Sequence, residues 1–229
     1  VATTGSLTGL TSTGNALSPV TGGSYPYTIS GNLTNTTGSA ITVEYRVTPR
    51  LAGCSSGSQV VATVIVEPVP LASISNNSQT LCSGGALAGM AVTNPRTHTK
   101  AATFDLAIVA TTGSLAGLTS TGNALSPVTG GSYPYTISGS LTNTTGSAIT
   151  VEYRVTPRLA GCSSGSQVVA TVIVEPVPLA AISNNSQTLC SGGALAGMVV
   201  SNPRTHTKAP TFDLAIVATT GSLAGLTST

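Results

Sequence analysis

Apolar residues recur along this chain with a period of two. In the stretch 103–111, Phe104, Leu106, Ile108 and Ala110 fall on one face, the spacing of a strand rather than of a helix. Ile149, Val151, Tyr153 and Val155 alternate with Thr150, Glu152, Arg154 and Thr156, which predicts a half-buried strand. Val168, Ala170, Val172 and Val174 predict the next one. Tyr133, Tyr135, Ile137 and Leu141 share a face, and Gly139 between them predicts a bulge or a close backbone approach. Turn signals separate these runs at Asn76-Asn77, Gly84-Gly85, Gly130-Gly131, 143–146 and 161–165. No segment carries helical spacing.

The pattern returns. The sequence that opens at Val1 opens again at Val109 and at Val217, a period of 108 residues. Over the 121 comparable positions six differ: Thr8/Ala116, Asn32/Ser140, Ser73/Ala181, Ala91/Val199, Thr93/Ser201 and Ala102/Pro210. A unit of this size is a small domain and not a solenoid repeat. Glu67-Pro68-Val69-Pro70 and its copy Glu175-Pro176-Val177-Pro178 end a strand and begin a stiff connector, because alternate prolines fix φ and remove ladder donors. The expected organisation is 1–70 as the back of one repeat, 71–178 as a complete repeat, and 179–229 as the front of a third. About seven short strands per repeat predict an all-β chain of tandem immunoglobulin-like β-sandwiches. The Ala102/Pro210 exchange marks a place where a strand has not yet begun.

Composition narrows the function. Only 6% of residues are charged and 40% are hydrophobic, with a net charge of +2. Eight scattered Lys and Arg do not build a phosphate-tracking stripe, which excludes nucleic acid as an expected partner. The composition is too apolar for a disordered chain. The longest apolar stretch, 168–174, is far short of a membrane span. No signal segment opens the chain, which reads as a mature or excised piece.

Tyr153-Arg-Val-Thr-Pro-Arg-Leu-Ala-Gly-Cys162-Ser-Ser-Gly, the alternating valines, Glu-Pro-Val-Pro, and Ser-Gln-Thr-Leu-Cys190-Ser-Gly-Gly together resemble the PKD-like and immunoglobulin-like repeats of giant cell-surface gliding-motility adhesins of the Bacteroidota. The resemblance covers the whole repeat. It implies an extracellular, filamentous, multi-domain adhesin, exported by the type IX system and associated with the outer membrane, whose partners are neighbouring repeats, other filament chains, and external surfaces or polysaccharide.

Four cysteines fit that compartment, two per repeat. Within 71–178 the expected disulfide joins Cys82 and Cys162, closing a loop of about 80 residues worth on the order of 4.5 kcal/mol. Cys54 and Cys190 then pair with repeats outside this stretch. The alternatives, Cys54 with Cys82 and Cys162 with Cys190, staple neighbouring domains, although each pair is separated by 28 residues that hold a strand and the connector. Buried free thiols are the plainer reading.

Other chemistry has little support. Gly161-Cys162-Ser163-Ser164-Gly165 matches the Gly-x-Ser-x-Gly string, but that motif needs a strand-to-helix turn and an oxyanion hole. Here two strands flank it, so it reads as a small-residue turn. Asp105 lies seven residues beyond His98 and serines abound, so a Ser-His-Asp reading can be forced, but His98 and its copy His206 read as surface-loop residues. Three acidic residues per repeat, spread far apart, predict no metal or cofactor site. Sequons stand at Asn32, Asn35, Asn76, Asn143 and Asn184. The expected function is therefore non-catalytic: a repeat segment of an adhesive filament, with a self-associating structural polymer or a passive spacer as alternatives. The loops Gly84–Gly89, Asn94–Lys100 and Ser126–Ser132 are the candidate ligand surfaces, being long and polar.

Overall fold

The alternating segments fold as strands. A computed structural model describes residues 2–4, 7–217 and 219–220, and it contains no α-helix among them. The unit at 71–178 holds β1 (Ser73–Ile74), β2 (Ser78–Leu81), β3 (Gly85–Ala86), β4 (Met90–Thr93), β5 (Ala102–Thr112), β6 (Leu118–Ser120), β7 (Val128–Ser132), β8 (Tyr135–Ile137), β9 (Ser140–Asn143), β10 (Ile149–Leu159) and β11 (Val168–Val174). One layer is a five-stranded sheet in the order β7-β5-β10-β11-β2, in which β2 runs parallel to β11. The opposing layer is made of β6-β9-β3 and β8-β4-β1. The opening strand is thus split between layers, β1 against β4 and β2 against β11. This is an immunoglobulin-like sandwich.

Eleven strands replace the expected seven because the layer opposite the long sheet is broken into short pieces. Between β8 and β9 the break falls at Gly139, whose φ is 130° and whose added Cβ would lie 2.0 Å from the Thr121 carbonyl oxygen. Only glycine fits that approach. β2 and β4 carry no clear alternation and escaped the sequence reading.

The predicted apolar faces meet in one core. Phe104, Ile137, Leu141, Val151, Tyr153, Val155, Val172 and Val174 are fully buried, and so is Met90. The Tyr153 hydroxyl donates to the Ala124 carbonyl at 2.8 Å, so its one polar atom is satisfied. Burial pushes that phenol well above its ordinary range. The Phe104 ring packs against Tyr133 and Tyr135 at centroid distances of 5.1 and 5.4 Å. On the outer face Glu152 and Arg154 pair at 2.7 Å.

β10 runs past Thr156 through Pro157 to Leu159. A proline in a central strand is unusual. Its carbonyl accepts from Gly165 N at 3.1 Å, so the missing N–H points to the side on which β11 has already ended, since β11 pairs only as far as Val155. The ladder loses nothing there.

The flanking segments contain the same sequence but fewer partners. In 7–66 the strand Ile41–Val47 pairs with Val60–Val66 and, at one end, with residues 2–4. The buried cluster there is only Leu10, Ile41 and Val43. In 179–217 the pair Ala181–Ile182 with Val200–Ser201 is the whole of the described sheet. Residues 211–217 repeat 103–109 of β5 letter for letter, yet they form no strand. Residues 221–229 of the expected third repeat lie outside the described residues.

Candidate functional site

The most specific polar constellation lies where one repeat meets the next, and the chain builds it twice. In the first joint the Glu67 carboxylate accepts the Thr99 N–H at 3.0 Å and also the Thr99 hydroxyl. His98 Nδ1 lies 3.4 Å from the same carboxylate, with side-chain exposures of 2% for the imidazole and 8% for the glutamate. Arg96 Nη1 donates to the Val69 carbonyl at 2.7 Å, across the connector. The backbone joins too: Thr97 N donates to the Gly38 carbonyl at 2.8 Å, and Ala40 N to the Thr97 carbonyl at 3.3 Å.

The second joint repeats each of these bonds. Glu175 accepts from the Thr207 N–H and hydroxyl, and His206 Nδ1 lies 3.4 Å away. Arg204 donates to the Val177 carbonyl at 2.7 Å. Thr205 N reaches the Gly146 carbonyl at 2.8 Å, and Ala148 N reaches the Thr205 carbonyl at 3.2 Å. Burial alone would raise the Glu175 carboxyl; the Thr207 hydroxyl and amide, with His206 beside it, outweigh that and hold it below the usual carboxylate range.

The receiving loop is held by a buried asparagine. Asn143 Nδ2 donates to the carbonyls of Ser147 and Val174, at 2.8 and 2.9 Å, and its Oδ1 accepts from the Thr145 N–H and hydroxyl. Asn35 makes the same set in the preceding repeat. These two sequon asparagines are 5% and 3% exposed and serve the fold, so they are poor sites for a glycan.

Several expectations change. His98 is no surface-loop residue: its ring is enclosed in the joint, and among the described residues neither ring nitrogen has a hydrogen-bond partner. Asp105 faces elsewhere, accepting from Gly130 N at 2.9 Å and from Arg158; the Gly130 amide and then Arg158 hold its carboxyl below the usual range. In the loop 94–100, Arg96, Thr97 and Thr99 bond to the preceding repeat, while Lys100 Nζ donates to the Ala160 carbonyl at 3.3 Å. Gly84–Gly89 contains β3, and most of Ser126–Ser132 is the edge strand β7. The Gly161–Gly165 string is a turn, as expected, with Cys162 N donating to the Leu159 carbonyl at 3.0 Å.

The Cys82–Cys162 disulfide is corrected by the register. Cys82 follows Leu81, which lies beside Val174, whereas Cys162 precedes Val168 at the other end of the same strand. Six residues of strand set the two ends about 20 Å apart, far beyond the Cα separation a disulfide spans. All four thiols are free, and all are exposed rather than buried. Nothing in the residue pattern alone could place them, because the parallel pairing of β2 with β11 decides it.

No group of three or more His, Cys, Asp or Glu is placed to hold a metal ion among the described residues. No helix of theirs is long and apolar enough to cross a membrane. No protein-family model matches the chain, and no curated protein does. Among solved structures, the crystal structure of the S-layer protein SbsC domains 4 and 5 aligns at 12% identity and a TM-score of 0.29. The alignment covers 63% of this chain and 62% of that one, so less than two thirds of that structure is spanned.

Proposed function

We propose that the chain is a non-catalytic segment of a long extracellular adhesin filament of the gliding-motility type, with repeat boundaries at the two Pro-x-Pro connectors. The observation that carries this reading is the joint, made twice with the same bonds between the same residue types. A chain whose successive domains are fixed to each other by a glutamate, a threonine, a histidine and an arginine is suited to project as a stiff stalk. Its low charge suits it to approach many surfaces without strong ionic repulsion.

The reading is tested by imaging and by adhesion. Electron microscopy of a polypeptide of several repeats should show straight strings of evenly spaced beads. Beads coated with it should adhere to glass or polysaccharide films more than beads coated with an unrelated β-sandwich of equal charge. Bent, randomly jointed strings that do not adhere would overturn it.

A further inference from the structure

Each end of a repeat carries a turn with a cysteine, and both turns are held in place by the structure around them. At the trailing end of 71–178, the turn after β2 is fixed by the strand ends beside it. Glu175 N donates to the Leu81 carbonyl and Gly84 N to the Leu141 carbonyl, each at 2.8 Å. The Ser83 hydroxyl donates to the Asn143 carbonyl at 3.1 Å and accepts from Asn143 N at 3.0 Å. Gly85 N closes the turn on the Cys82 carbonyl at 2.8 Å. Cys82 thus has a fixed backbone and an exposed thiol.

At the leading end, the turn 161–165 lies on the connector that arrives from the preceding repeat. A Cβ added at Gly165 would meet the Pro70 carbonyl oxygen at 1.8 Å, so glycine is what permits this approach. The turn is set by Cys162 N on the Leu159 carbonyl at 3.0 Å, by Gly165 N on the Pro157 carbonyl at 3.1 Å, and by the Arg158 guanidinium on the Ser164 hydroxyl at 2.8 Å. Cys162 and Ser163 line one cleft together with Leu33, Asn35 and Glu67 of the preceding repeat. Those three are the copies of Leu141, Asn143 and Glu175, the groups that hold the Cys82 turn.

The repeat period joins these two observations. The surface that carries the Cys82 turn on one repeat is the surface that the Cys162 turn of the following repeat faces. Carried through an intact joint of the same polypeptide, the period of 108 residues brings the two turns into one cleft, each with an exposed cysteine. The two cysteines of a single repeat, in contrast, lie toward opposite ends of β11.

We propose that a disulfide crosses each joint of the array, from the cysteine after β2 in one repeat to the cysteine of the 161–165 turn in the repeat that follows. Cys162 then pairs with the copy of Cys82 one repeat back, and Cys82 with the copy of Cys162 one repeat on. The bond adds a second covalent crossing to a joint otherwise tied by the connector and by the contacts at Thr97 and Thr99, which restricts hinging. The oxidant is a low-molecular-weight disulfide such as oxidised glutathione. One cysteine thiolate attacks it, forming a mixed disulfide and releasing one small thiol. The second cysteine thiolate then displaces the other, so two protein thiols are oxidised, one small disulfide is reduced to two thiols, and the protons pass from the cysteines to the released thiols.

The inference rests on the reading of the chain as part of a continuous array, and its test separates the two. Four consecutive repeats in one polypeptide are prepared with Cys→Ser at every cysteine except a chosen pair. The neighbour pair keeps the cysteine after β2 of the second repeat and the turn cysteine of the third. The same-repeat pair keeps the combination of Cys82 with Cys162, and the reverse pair keeps that of Cys162 with Cys190. Each is incubated in a buffer of oxidised and reduced glutathione, and its free thiols are counted by alkylation and intact mass. The expected result is loss of both alkylatable thiols in the neighbour pair, within a monomeric polypeptide, and retention of both in the other pairs. Free thiols in the neighbour pair, a bond between separate polypeptides, or equal oxidation of all three would overturn the disulfide. Electron microscopy of the unreduced four-repeat polypeptide with all its cysteines reads the array independently. Straight strings beside an unoxidised neighbour pair refute the disulfide and keep the array; randomly jointed strings beside an oxidised one keep the disulfide and refute the stiff stalk.

Discussion

Replacing Glu67 by alanine tests the joint with a local readout. The carboxylate accepts the Thr99 N–H at 3.0 Å and the Thr99 hydroxyl, and both bonds cross from one repeat to the next. A hydrogen bond to a charged acceptor contributes about 1.5–3 kcal/mol. The joint lies at the surface, although the glutamate side chain is only 8% exposed, so we take about 2 kcal/mol for the amide bond. At 1.4 kcal/mol per factor of ten, that is roughly a 30-fold faster opening of the Thr99 amide. Hydrogen exchange on the whole chain measures it. The Thr97 amide is the control, since it donates to the Gly38 carbonyl at 2.8 Å and keeps that bond in the variant. Glu67→Gln retains an acceptor oxygen and should restore most of the protection. An unchanged Thr99 rate would refute the reasoning, and so would acceleration shared with the amides of β5, which would mean that the fold rather than the joint had been weakened.

Acid should loosen the second joint. The Glu175 carboxyl is held below its ordinary range in the folded chain, so its contribution is complete above the unfolded-state pKa and is lost as pH falls through the lower folded value; exchange at Thr207 against pH checks the direction, and a rate that slows toward acid beyond the intrinsic chemistry would refute it. Gly131→Val places a Cβ 2.6 Å from the Phe104 ring and 2.8 Å from Val128, an overpacking expected to cost about 1–3 kcal/mol and visible as a lower thermal midpoint. Tyr153→Phe removes the 2.8 Å bond to the Ala124 carbonyl and leaves that oxygen without its donor, a loss of about 1–3 kcal/mol in denaturant titration; wild-type stability would mean that water replaces the hydroxyl.

What the sequence disclosed was governed by period. β10 alternates strictly and buries its apolar face from Ile149 to Leu159; β11 buries Ala170, Val172 and Val174 of the assigned face, while β5 buries Phe104 and Leu106 and leaves Ile108 and Ala110 half-buried. β2 and β4 are short, mixed in polarity, and visible only through their pairing. β5 is a strand with β7 and β10 paired along its two edges. The alternation states which face will be buried, and the neighbours decide whether a strand exists. The joint was harder to foresee. His98 and Glu67 lie in different repeats, each unremarkable in its own loop, and only the docking of Thr97 against residues 38–40 brings them together. The disulfide expectation failed for a related reason. It treated the two cysteines of one repeat as neighbours in space, whereas parallel pairing of β2 with β11 carries them to opposite ends.

Two joints with the same bonds also fix a geometry. If each repeat is carried onto the next by one rotation and one translation, applying that operation again and again generates a screw axis, and the array follows a regular helix rather than a wandering path. Any side chain on the outer faces, such as the Glu152–Arg154 pair, then reappears at constant rise and constant angle along that helix. A surface or a polymer with matching spacing would meet the same chemical group at each turn, and a weak contact made once would be made many times in register.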